Sequence, residues 1–178
     1  MEEGTENLSK AMAGSILAAV IIQLILALIL LEGLEEVFKP PAVYGMLLLV
    51  AIAFYVYYHL LNSVRISRIR VKYLGPIGAL LATVGIIVAQ YHSIEAGGAL
   101  IVAAYYSELL LGVKLREDLL QYKASGVNSF TAGMLIFILS LPLVILDNRL
   151  AAVPFAGNLL KTYGLVIVYR SIKSYSTS

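Results

Sequence analysis

The feature that most constrains this chain is the recurrence of apolar runs of about twenty residues, separated by short charged patches. A hydrocarbon slab about 30 Å thick is crossed by about 20 helical residues rising 1.5 Å each. Backbone groups inside hydrocarbon have no water to bond, so each such run must close its own hydrogen bonds as a helix. Five runs qualify directly: 11–31, 42–61, 77–91, 96–113 and 130–146. A sixth, 150–169, is interrupted by Pro154, Gly157, Asn158 and Lys161, and fits either a continuous or a broken helix. The expectation is an all-α, polytopic integral membrane bundle of six transmembrane helices, five if the last fails to span, forming one domain over 1–178.

Composition agrees. Hydrophobic residues make up 60% of the chain and charged residues 13%, about half the charged share of a soluble domain. No polar stretch is long enough to hide a soluble domain. Cysteine is absent, which excludes disulfides, thiolate metal sites and cysteine nucleophiles. Its absence, with few Asn and Gln, matches a thermophile-like composition.

Basic residues then orient the bundle. With the N-terminus inside, Lys10, Arg65, Arg68, Arg70, Lys72, Lys114, Arg116, Lys123, Arg170 and Lys173 fall on the inner side, and only Lys39 and Arg149 outside. Six spans with both termini cytoplasmic, in the cell membrane, follow as the expectation. No cleaved leader is expected, because MEEGTENLSK is acidic and the first span exceeds a signal-peptide core. Twelve tyrosines and no tryptophan leave tyrosine to form any interfacial belt.

One carboxylate and one amine lie well inside the spans. Glu108 falls roughly 18–20 Å inward from the outer end of span 4, and Lys161 about 18 Å inward along span 6, at 1.5 Å per residue. Both have small residues three or four positions away: Ala104 and Gly112 for Glu108, Gly157 and Gly164 for Lys161. Small residues mark packing faces between membrane helices. An ion pair between Glu108 and Lys161 is therefore expected, with Asn158 and Tyr105 as polar neighbours. It can fix helix register, handle a proton or ion, or meet another subunit.

The stretch SELLLGVKL, residues 107–115, resembles the glutamate-bearing helix of the small three-helix membrane subunit of respiratory complex I. The likeness covers about a dozen residues, and this chain has too many spans for that subunit. No functional residue is carried over.

Other features are weaker. RISRIRVK, 65–72, supplies Arg65, Arg68, Arg70 and Lys72, a positive-inside signal or a contact for anionic lipid headgroups or an acidic partner. Its interleaved Ile and Val argue against nucleic acid. LEEVFKPP, 34–41, reads as an outer connector or short surface helix. Glu117 and Asp118 read as part of a mixed-charge loop. His59 and His92 lie near opposite membrane faces, too far apart to share a haem. Gln23 and Gln90 can bond between helices. No catalytic motif, metal-ligand set or cofactor site is present.

Three functions compete. A non-catalytic accessory subunit of a larger, energy-transducing complex is favoured by small size and the lack of a recognisable site. A small oligomeric transporter or proton/ion channel would use Glu108, Lys161 and a broken sixth span. An intramembrane enzyme has the least support. The partners expected are the bilayer, and other membrane subunits or further copies of the chain.

Overall fold

The computed structural model describes residues 2–64 and 67–175. It is all-helical, with no strand among the described residues. Six helices follow in order: α1 (Glu2–Glu32), α2 (Ala42–Leu61), α3 (Arg68–Tyr91), α4 (Ile94–Gln121), α5 (Val127–Leu146) and α6 (Ala152–Tyr175). All six are long and apolar enough to cross a membrane. Their outward faces expose Leu24, Leu47, Phe54, Leu80, Ile87 and Leu139, a surface suited to hydrocarbon rather than water.

The helices overrun the expected spans because a helix needs backbone bonds, not apolar side chains, to continue past the hydrocarbon. Span 3 was expected from 77, yet α3 begins at Arg68 and carries Pro76 inside it. A proline there removes one backbone bond. The turns before it are held elsewhere: Val71 is fully buried, and the Ser67 amide and hydroxyl donate to Asp118 Oδ2 at 2.9 and 2.6 Å. That contact also corrects the loop reading of Asp118. The residue lies on α4 at 2% exposure and anchors the start of α3.

Of the two forms open to the sixth helix, the structure has the continuous one. α6 runs without interruption from Ala152, because Pro154 falls in its first turn, where amides have no intrahelical partner to lose. Asp147 starts the preceding 3₁₀ turn, Asn148–Ala151, by accepting the Arg149 amide at 2.8 Å.

Each helix packs on its chain neighbours, and α6 returns to α1, so the six form a closed ring of antiparallel neighbours. The α3/α4 and α5/α6 pairs are the tightest. Gly133 abuts the α6 backbone at Lys161, and Gly164 abuts the α5 backbone at Phe130; a Cβ at either site would collide with main chain. The α2/α3 and α4/α5 seams are filled by side chains instead, with the Tyr57 ring over Gly75 and the Met134 thioether over Gly112.

The α1–α2 link does form a short helix, but one that buries part of its length rather than lying wholly on the surface. α1 stops at Gly33, whose φ of 103° favours glycine. Leu34–Phe38 then forms a 3₁₀ turn with Val37 and Phe38 buried, and the Phe38 carbonyl accepts from Gln90 Nε2 at 2.7 Å. The turn plugs the ring end opposite the termini. On its outer surface Glu36 pairs with Lys39 at 2.5 Å and raises that ammonium above its ordinary pKa.

Candidate functional site

All six helices contribute to the lining of a partly open cavity of about 150 Å³. A second cavity of about 90 Å³ lies toward the plug, lined by Leu34, Val37 and Phe38. Ile22, Met46, Leu49, Ile101 and Tyr105 line both, so the two are stacked along the bundle axis. Toward the termini, about one turn beyond the cavity-lining Met12, Leu115, Phe130 and Leu165, the buried Leu8, Leu119, Val127 and Val168 form an apolar layer.

Glu108 from α4 and Lys161 from α6 meet in the wall of the larger cavity, with Nζ 2.6 Å from Oε1. Helix positions alone do not bring them together: α5 lies between, and Gly133 lets α6 approach closely at Lys161. The two side chains differ in cover, at 5% exposure for Lys161 and 32% for Glu108. Lys161 is also backed by the Phe137 ring, 5.1 Å from Nζ, a favourable placement for a cation in a low dielectric. Phe137 in turn takes Tyr105 edge-on at 5.2 Å.

Of the other expected site residues, Tyr105 lines the cavity and Asn158 does not. Asn158 is fully buried at the α1/α6 seam, where Nδ2 donates to the Ala19 carbonyl at 2.8 Å and to Gln23 Oε1 at 2.7 Å. Gln23 Nε2 completes the seam by donating to the Phe155 carbonyl at 3.3 Å. The amides close the ring rather than join the ion pair.

Arg68, Arg70 and Lys72 lie on the opening turns of α3 and are exposed, not in a loop. Arg68 and Lys72 share a face at helical spacing, whereas Arg70 donates to the Leu110 carbonyl of α4 at 3.0 Å. Arg65 lies outside the described residues.

His59 Nδ1 is 2.8 Å from Asn7 Oδ1 near the terminal end, and His92 caps α3 at the opposite end. No cluster of three metal-ligating side chains occurs among the described residues.

Two lining residues were not singled out from sequence. Ser15 carries no signal in the sequence, and Tyr57 is one of twelve tyrosines with nothing to set it apart. Both face the cavity. Helical phase could have found Tyr57, which lies four residues after Ala53 and seven after Val50 in a series of lining positions on α2 that also includes Met46, Leu49 and Leu60.

Comparison with protein-family models, with curated proteins and with solved structures finds no match.

Proposed function

We propose that the chain is a small multi-spanning transport protein of the cell membrane, working through its central cavity with both termini cytoplasmic. One observation carries this reading: a charged pair lies in the wall of a cavity lined by all six helices. Intramembrane charges are costly and cluster along substrate and ion paths. A helix pair that only needed a fixed register could place its ion pair at a packed seam, as Asn158 and Gln23 are placed. The orientation is supported by the basic residues, concentrated at the end that carries the termini.

The seams support a way to open. The Glu108–Lys161 contact bridges the tight α3/α4 hairpin to the α5/α6 unit, across the looser, side-chain-filled α4/α5 seam. Parting of that pair would free the hairpin to rock and expose the cavity to one side at a time.

The accessory-subunit reading retains one favourable observation: the cavity lining is mostly apolar, and Lys161 already occupies one carboxylate oxygen of Glu108. Purification in mild detergent followed by reconstitution separates the two. A transporter runs alone or as a homo-oligomer and supports solute entry into vesicles. Stoichiometric foreign partners and no entry would sink the transport reading.

A further inference from the structure

Four polar residues from three helices line the larger cavity with at least one oxygen that has no partner among the described residues. Ser15 on α1, Tyr57 on α2 and Tyr105 on α4 line it, and their hydroxyls make no hydrogen bond to any described residue. Glu108 gives Oε1 to Lys161, while Oε2 accepts nothing from a described residue. Apart from Lys161, the rest of the lining is apolar, with Met12, Ile22, Met46 and Leu49 among it. Unpaired hydroxyls and a carboxylate oxygen at this depth are expensive unless something in the cavity bonds them.

Charge balance then selects the occupant. Glu108 and Lys161 already neutralise each other at 2.6 Å. A cation drawn to Oε2 would meet the Lys161 ammonium directly behind it, and an anion would meet the carboxylate first. Either would leave an uncompensated charge in a low dielectric. An uncharged molecule carries no such penalty. The carboxylate oxygen can only accept, so the molecule must donate at least once, and three hydroxyls can donate or accept in return. Size sets the last limit, since an engineered protein cavity of about 150 Å³ holds benzene, a molecule of about six heavy atoms.

We infer that Ser15, Tyr57, Tyr105 and Glu108 form the binding site for a small uncharged polyol of about glycerol's size. The inference rests on the transport reading and adds its substrate class. Lys161 acts as the positioning residue that aims the carboxylate through its contact with Oε1.

The test uses the purified full chain in proteoliposomes and measures entry of radiolabelled glycerol, sodium and methylammonium, each against protein-free vesicles. Saturable, electroneutral glycerol entry is expected. Ser15→Ala, Tyr57→Phe and Tyr105→Phe, which keep the helix and ring packing, should each raise the half-saturating concentration roughly two- to tenfold with the maximal rate little changed. Glycerol entry indifferent to all three variants would overturn the site. Protein-dependent sodium or methylammonium entry without glycerol entry would overturn the substrate class and leave the transport reading standing. No protein-dependent entry of any probe would remove both.

Discussion

At the residue scale, the Glu108–Lys161 pair behaves asymmetrically because its two ends are covered differently. Glu108→Ala leaves an ammonium at 5% exposure with only the Phe137 ring for company. Lys161→Ala leaves a carboxylate at 32% exposure facing the cavity. Breaking a buried pair by removing one partner costs about 3–5 kcal/mol, the residual lone charge supplying most of it. Glu108→Ala should therefore lower the thermal unfolding midpoint in detergent more than Lys161→Ala does. The double variant Glu108→Leu/Lys161→Met should recover most of that loss yet abolish solute entry. Equal stability losses in the two single variants would contradict the assigned cover.

At the element scale, stability concentrates where helices touch backbone to backbone. Gly133→Ala puts a methyl group into the α6 main chain at Lys161. Overpacking of this kind costs about 1–3 kcal/mol, and here it also displaces Lys161. Gly45→Ala is the control: its added Cβ meets only Ile21 at 3.8 Å. That variant should match the parent or gain up to about 1 kcal/mol from helix propensity. Thermal unfolding of both variants checks the contrast, and similar effects at the two sites would refute the close-approach account. The plug makes a separate prediction. Phe38→Ala removes a buried side chain from the 3₁₀ turn over the second cavity, so solute entry should rise while the α-helical circular dichroism stays unchanged.

Much of the element plan was legible because it depends on local rules. Length and apolarity locate spans, and 1.5 Å per residue gives depth, which is why Glu108 and Lys161 could be paired on paper. The misses share a physical cause, because each is decided by a partner distant in sequence. Asp118 reads as a loop acid until α3 brings Ser67 to it. Pro154 and Gly157 read as breaks until α5 packs against them and the helix start falls just before the proline. Val37 and Phe38 read as a connector until the ring offers them an open end. Tyr57 and Ser15 became site residues only when ring closure made an inside for them to face.

At the scale of the whole molecule, the even number of antiparallel helices puts both termini at one end together with most of the basic residues. Lys10, Lys114, Arg170 and Lys173 should therefore be cytoplasmic and Lys39 and Arg149 external. Single cysteines offer a direct check, since the native chain has none. A cysteine at Arg149 in intact cells should react with an impermeant maleimide, and one at Lys173 should react only after lysis. The reverse pattern would invert the bundle.

The central claim is that solute passes through the cavity bounded by all six helices. Ala53 on α2 lines it, and Ala53→Phe adds a ring about the size of the benzene that a 150 Å³ cavity accommodates. The decisive measurement is glycerol entry into proteoliposomes holding wild-type protein or Ala53→Phe, with circular dichroism confirming that the variant is folded. Saturable entry with wild type and entry at the protein-free rate with Ala53→Phe is the predicted result. Entry that proceeds equally through both proteins, or through neither, would contradict it.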